Sequence, residues 1–240
     1  AQKGIQWMKL TAKGTAGHGS FINQDNAVTK VADAVARIGK YDWPQLETKT
    51  SSVFFRKIAE LTGDKYDSKN VKPLLHHLGN AVKMLGATIS NTANPTMLEA
   101  GYKANVIPQS ASATVDGRFL PGHENQLQET IKKLAGDEIE IEMLTRDIAL
   151  EVDFAGPLVK AMCDAISGED SDGIPVPYLM SGGTDNKALH DLGIVGYGFS
   201  PLKLPKDLDF FALFHGVDER VPIDGLKFGV RVLYEFLENV

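Results

Sequence analysis

The chain has 240 residues, of which 43% are hydrophobic and 23% are charged, a balance typical of a globular protein with a substantial core. Its net charge of −6 disfavours nucleic acid as a partner, and no apolar run approaches the roughly 20 residues that a membrane-spanning helix requires. Cys163 is the single cysteine, so the chain by itself forms neither a disulfide nor a thiolate metal cluster. We therefore expect a soluble, cytoplasmic protein in which histidines and carboxylates would hold any metal.

The first 150 residues predict an α+β sandwich. Residues 4–12 alternate as a half-buried strand does, and apolar residues between positions 31 and 38 recur at helical spacing. A turn at Asn94-Pro95 precedes two predicted strands, 96–107 and 110–119, and a helix and a strand over 138–144 follow. Strand, helix, strand, strand, helix, strand is the order of a ferredoxin-like fold, with a four-stranded antiparallel sheet and two helices. Residues 53–86 predict a helical insert of two or three helices.

Residues 152–240 have a different pattern, in which helices alternate with apolar runs. Helices are predicted over 158–166, 184–192 and 225–240, with apolar runs at 174–180 and 194–199. This alternation predicts a βαβ unit and a parallel sheet. Two or three strands are too few for a sheet of ordinary size, and a strand pattern begins almost at Ala1. We therefore expect the chain to be part of a longer protein.

Two of the six histidines stand out as candidates for chemistry. His18 lies in a Gly-His-Gly-Ser segment, where the glycines leave the imidazole open to a ligand; a tight turn before a helix capped by Ser20 or Asn23 is the alternative. His215 ends an apolar stretch and could present a metal ligand, although one histidine does not make a zinc site. We expect the other four to be structural or solvent-exposed: His76, His77, His123 and His190.

Other polar and glycine-rich positions leave alternatives open. The turn that contains Gly182 and Gly183 could hold an anion with its amides, or be a plain turn capped by Thr184. Asn105 and Arg118 lie on β segments and could bind a carbonyl and a carboxylate, although a structural salt bridge is the simpler role for Arg118.

Four motifs, taken in order, resemble the M20 family of zinc peptidases and amidohydrolases, which includes glutamate carboxypeptidase, aminoacylase-1, a desuccinylase and carnosine-type dipeptidases. They are KGTAGHGS followed by DNAV, then GYKANVIPQSASATVDGRFLPG, MSGGTDNKAL and FHGVDERVP. The resemblance implies that residues 4–150 form the lid, or dimerisation, domain. Residues 151–240 would then be the C-terminal segment of a catalytic α/β zinc-hydrolase domain.

The resemblance also implies roles for individual residues. His18 would be catalytic and stabilise the oxyanion, in many members by reaching into the partner subunit's site, and His215 would bind zinc. Four residues would contact the substrate: Asn105, Arg118, Gly182 and Gly183. Two zinc ions would be expected in the intact enzyme, with cobalt or manganese as substitutes.

We predict from this resemblance a homodimer, paired through the lid, that hydrolyses an amide bond in a dipeptide or N-acyl amino acid. The family's remaining metal ligands and its general base precede the lid, so the chain alone is expected to be inactive. A non-catalytic dimerisation or peptide-binding module is the competing hypothesis. An unrelated serine hydrolase that uses Ser20 or Ser181 is a third, disfavoured because no GxSxG motif is present.

Overall fold

A computed structural model describes residues 1–240. The strands are β1 (Gly4–Lys13), β2 (Gly17–His18), β3 (Thr92–Ala100), β4 (Val106–Ile107), β5 (Ser110–Phe119) and β6 (Ile139–Asp147). The helices are α1 (Ala27–Gly39), α2 (Lys49–Thr62), α3 (Val82–Leu85), α4 (Glu124–Ala135), α5 (Pro157–Glu169), α6 (Asn186–Asp191) and α7 (Ile223–Glu238). Three 3₁₀ segments complete the set: Lys72–Ala81, Gly86–Thr88 and Phe210–Leu213.

Four strands form an antiparallel sheet in the order β3-β5-β1-β6, with β1 and β5 at its centre. The helices α1 and α4 pack together and contribute buried residues to the same core as the sheet. This arrangement confirms the predicted ferredoxin-like sandwich. Its core consists of alternate strand residues and one stripe of each helix, and includes Met8, Leu10, Ala12, Val31, Ala34, Ile38, Ala113, Val115, Leu127 and Ile131.

The start of α1 shows how local sequence positions the segment that contains His18. The side chain of Asn26 accepts hydrogen bonds from the backbone N–H groups of Val28 and Thr29 and so caps the helix. The alternative in which Ser20 or Asn23 caps the helix is therefore wrong. Because the helix begins nine residues after His18, that histidine belongs to the preceding loop and ribbon.

The predicted turn at Asn94-Pro95 was also wrong, because β3 runs through both residues. Proline lacks the N–H that an inner strand needs, yet β3 lies at the edge of the sheet and its pairing with β5 is irregular between Pro95 and Met97. Edge strands and bulges are the places where a sheet accepts proline. The strand β3 ends at Ala100, and residues 101–105 connect it to the short strand β4.

The chain divides into two compact units. One contains residues 2–46 and 90–150; the other contains residue 1 with 47–89 and 151–240. The helical insert belongs to the second unit, and its own core is built on Phe54, Phe55, Leu74 and Leu85. The assignment of residues 4–150 to a lid domain and of residues 151–240 to a catalytic domain stays a prediction.

In residues 151–240 the three helices lie near the expected positions, but the two apolar runs 174–180 and 194–199 are not strands. A β-strand exists only where a neighbouring strand pairs with it, so apolar sequence alone does not produce one. The predicted parallel βαβ unit is therefore wrong for this chain. None of the helices combines the length and the apolar character needed to cross a membrane.

One buried cation lies beside the sandwich core. The side chain of Lys3 is fully buried, and its Nζ donates a hydrogen bond to Thr92 Oγ1 at 3.4 Å. Burial, and to a smaller extent the nearby Arg118 guanidinium, lowers the pKa of Lys3 from 10.5 to about 7. The amine is thus close to losing its proton in the folded protein at neutral pH.

We expect Lys3→Met to be more stable than the wild type at pH 6, with the difference shrinking as the pH rises. Between about pH 7 and pH 10.5 the unfolded chain binds the extra proton, so the stability of the wild type increases with pH across that window. Urea denaturation across this pH range measures the effect. The exposed Lys13 provides the control variant Lys13→Met. A stability difference that does not change with pH would contradict this account of Lys3.

Candidate functional site

His18 lies on a two-stranded ribbon that extends from the sheet. The strand β2 pairs antiparallel with β4, with Gly17 opposite Ile107 and His18 opposite Val106. Beyond this pair, the N–H of Gly19 donates to the carbonyl of Asn105 at 2.9 Å. A Cβ added at Gly19 would lie 3.4 Å from the Asn105 backbone, so the glycine permits this close approach.

The surroundings of the His18 ring indicate its tautomer. The backbone N–H of Ser20 donates to His18 Nδ1 at 3.3 Å, and the Ser20 hydroxyl lies 2.8 Å from the same nitrogen. Because a backbone N–H can only donate, the Ser20 contact makes Nδ1 an acceptor and favours the neutral ring with its proton on Nε2. The Asn105 amide nitrogen, which also only donates, lies 3.5 Å from Nε2 and favours the opposite tautomer when no oxygen lies between them. The imidazole is exposed, and Nε2 is the ring nitrogen that lies near Asn105.

Asn105 provides a second donor beside that ring. Its Nδ2 lies 3.5 Å from His18 Nε2, and both side chains are exposed. When His18 carries its proton on Nε2, this ring N–H and the Asn105 amide can both donate to one shared oxygen, such as that of a carbonyl or an oxyanion. The structure thus brings together two of the predicted site residues.

The contact between His18 and Ser20 also bears on the serine-hydrolase hypothesis. A triad needs an acid on the ring nitrogen opposite the serine, which orients the imidazole and stabilises its charged form. Here that nitrogen faces the neutral amide of Asn105. Ser20 is therefore better explained as the residue that orients His18, a role that the sequence analysis missed although the Gly-His-Gly-Ser turn suggested a tight bend.

Arg118 lies elsewhere on the sheet. Its guanidinium donates two hydrogen bonds to the Asp116 carboxylate, at 2.6 and 2.8 Å, so the salt bridge left open by the sequence is present. The ribbon continues from the end of the sheet where Lys13 pairs with Ser110, whereas Arg118 pairs with Ile5 near the other end. At about 3.4 Å per residue, the eight steps from Ser110 to Arg118 span about 27 Å. Arg118 is not brought to His18 and Asn105.

The remaining predicted residues belong to the other compact unit. Gly182 and Gly183 lie in the loop before α6, and the N–H of Asn186 donates to Thr184 Oγ1 at 3.3 Å. His215 follows the 3₁₀ segment Phe210–Leu213 and is exposed. Its φ of 58° is the single positive value among the non-glycine residues. Such a backbone conformation is uncommon outside glycine, and residues held in it often have functional roles.

The chain resembles known proteins along its whole length. The family model described as the peptidase dimerisation domain of M20 enzymes matches residues 1–142. The human N-fatty-acyl-amino acid synthase/hydrolase PM20D1 is 25% identical over 256 residues, which cover 100% of this chain and 50% of that protein. Human aminoacylase-1 is 25% identical over 226 residues, which cover 90% and 45%. The chain therefore spans about half the length of these curated relatives.

Solved structures agree on the fold. The M20 family metallo-carboxypeptidase Sso-CP2 from Sulfolobus solfataricus matches with a TM-score of 0.59 at 16% identity, covering 99% of this chain and 62% of that one. The dipeptidase Dug1p from Saccharomyces cerevisiae matches with a TM-score of 0.60 at 12% identity, covering 99% and 54%.

We expect His18 to be the Nε2–H tautomer in its neutral form. Long-range ¹H–¹⁵N NMR correlations of the imidazole distinguish a protonated from an unprotonated Nδ1. The variant Ser20→Ala removes the hydroxyl but keeps the backbone donor, so the tautomer should persist. A spectrum in which Nδ1 carries the proton would show that His18 Nε2 is an acceptor in the free protein and would contradict this prediction.

Proposed function

Since the chain belongs to the M20 peptidase family, we propose that it forms the lid and the C-terminal catalytic segment of an enzyme that hydrolyses an amide bond. The substrate class is a small carboxylate-bearing molecule, either an N-acyl amino acid or a short peptide. The observation that carries this proposal is the pair of exposed side-chain nitrogens of His18 and Asn105, 3.5 Å apart, which can both donate when His18 Nε2 is protonated. The names of the human relatives, an N-fatty-acyl-amino acid synthase/hydrolase and an aminoacylase, support the same substrate class.

The donor pair suits the charge that develops during amide hydrolysis. Attack on the carbonyl places negative charge on its oxygen, and preorganised N–H donors stabilise that charge more than they stabilise the neutral substrate. His18 would donate from Nε2 and Asn105 from its amide, in the site of the same subunit or of a neighbouring one. The backbone N–H of Ser20, which donates to Nδ1, favours the tautomer that this role requires.

His215 fits the role of one zinc ligand. It is exposed, has an unusual backbone conformation and carries an imidazole, a common ligand of zinc. The metal, when bound, would polarise the substrate carbonyl and activate a water molecule for attack. Catalytic zinc sites use three protein ligands, so we propose that the other ligands of a two-zinc site, and the general base, come from outside this chain. Cobalt or manganese could replace zinc.

The exposed face of α7 supports the proposal that this unit belongs to a larger catalytic domain. Phe228 and Val232 are buried in the core of the unit. A second stripe on the same helix is apolar and exposed at Ile223, Leu226, Val230, Leu233 and Leu237. A helix that is apolar on two faces is normally covered on both.

We also propose a homodimer that forms through the β3 edge of the sheet. Met97 and Leu98 on this edge are 54% and 60% exposed, and Glu99 is the single charged residue of β3. The opposite edge, β6, carries four charged residues, which discourage pairing between sheets. An exposed strand edge can pair with its symmetry copy about a two-fold axis.

We expect the wild-type chain to have twice its mass of 26.1 kDa in light scattering, and Leu98→Lys to be monomeric. The matched control is Leu144→Lys, on the β6 edge, which should remain a dimer. A monomeric wild type would contradict the proposed homodimer, and dissociation by the control variant alone would place the interface elsewhere.

In the protein that carries this chain, we expect His18→Ala to lower kcat for an N-acyl amino acid by about 10²–10³, the cost of removing one oxyanion donor. His190→Ala, which alters an exposed histidine of α6, is the control. Zinc content and hydrolysis should both fall on chelation. A protein with an intact dimer but no hydrolysis and no zinc would instead favour the non-catalytic binding module.

Contact of Arg118 with the substrate carboxylate remains part of the proposal, in competition with its salt bridge to Asp116. If Arg118 binds substrate, Arg118→Ala should raise KM for the acid and leave an amidated analogue unaffected. Equal changes for both substrates would assign Arg118 a structural role.

A further inference from the structure

A cluster of two histidines and an aspartate lies in the helical segment 47–89, away from the motifs that carry the family resemblance. Asp64 directly follows Gly63, the left-handed residue that ends α2. His76 and His77 are consecutive in the 3₁₀ segment Lys72–Ala81. One ligand atom from each of these three side chains lies within 4.8 Å of the other two, and all three residues are exposed.

The arrangement of the two rings is unusual for neighbours in a helix. Consecutive residues of a 3₁₀ helix point about 120° apart, so their side chains ordinarily diverge. Here the ring centroids of His76 and His77 are 3.9 Å apart, at an interplanar angle of 40°. Both imidazoles thus turn toward one side of the helix, the side on which Asp64 lies.

A simple ion pair accounts for only part of the cluster. His77 Nε2 lies 2.5 Å from Asp64 Oδ2, which explains those two residues. It gives no reason for His76 to bring a second imidazole to the same place. Two imidazoles and one carboxylate are, however, a common protein ligand set for a zinc ion with an open position.

We propose that Asp64, His76 and His77 bind a divalent transition-metal ion of the zinc class, with water as the remaining ligand. Ligand atoms in a tetrahedral zinc site are about 3.4 Å apart, given metal–ligand distances near 2.1 Å. Exposed side chains can make the small movement from the observed spacing by rotating about their own torsions. Imidazole ligands favour zinc, copper and nickel over magnesium and calcium.

Such an ion would join two stretches that are separate in the sequence. Asp64 begins the connection after α2, and the histidines lie in the 3₁₀ segment that follows this connection. A metal bound only in the folded state stabilises that state, and the stabilisation grows with the logarithm of the metal concentration above Kd. The bound ion should therefore raise the melting temperature of the protein.

The test is titration of the metal-free protein with ZnCl₂ by isothermal calorimetry, with metal content measured after desalting. We expect Asp64→Asn and the double variant His76→Ala/His77→Ala each to weaken binding at this site by at least about tenfold, since even the loss of an outer-shell partner commonly costs that much. Zinc should raise the melting temperature of the wild type and not that of the double variant. Circular dichroism without metal checks that the variants fold.

Two matched variants separate this site from the proposed catalytic metal. His215→Ala removes the ligand assigned to the hydrolase, and His190→Ala removes an exposed histidine of the same compact unit. Both should keep the zinc ion that depends on His76 and His77. Equal zinc affinity and stoichiometry in the wild type and the double variant would overturn the inference, whatever the result for His215→Ala.

Discussion

The pairing of β1 with β5 is the interaction on which the rest of the sandwich depends. Ten residue pairs join these central strands, from Gly4 opposite Phe119 to Lys13 opposite Ser110. Met8 then lies opposite Val115 and Leu10 opposite Ala113, all buried in the shared core. A slip of one residue would turn each of these side chains to the opposite face of the sheet, so the burial of one face selects a single register.

The same pairing determines where the ribbon that contains His18 lies. Both central strands continue at one end into the β2–β4 ribbon, where the N–H of Gly14 donates to the carbonyl of Gln109 at 2.8 Å. His18 and Asn105 consequently meet although 87 positions separate them in the chain. Arg118 belongs to the other end of the pair, where a buried lysine and a salt bridge make the surroundings strongly polar.

The proposed hydrolase divides its tasks between the two compact units. In this proposal the oxyanion donors belong to the sandwich, whereas His215, the proposed zinc ligand, belongs to the unit that also contains the helical segment 47–89. That segment interrupts the sandwich in sequence yet has its own core around Phe54 and Phe55. A metal site on the surface of this segment would stabilise the segment independently of the sheet, because its three proposed ligands, Asp64, His76 and His77, all lie outside the sandwich.

Local pattern determined most of the sandwich, because the alternation of β1 and β5 and the stripe of α1 follow directly from which side chains avoid water. It also identified His18, Asn105 and His215 as candidates through their glycine, polar and apolar surroundings. Local pattern did not predict which strands pair. Pro95 fits within β3 because β3 is an edge strand, and the apolar runs at 174–180 and 194–199 are not strands because no other strand pairs with them. The contacts of Arg118 with Asp116, of His18 with Ser20 and Asn105, and of Asp64 with the two histidines depend on side-chain direction in three dimensions. Only the tertiary structure decides those contacts, since residue spacing along a chain does not specify which polar atoms finally meet.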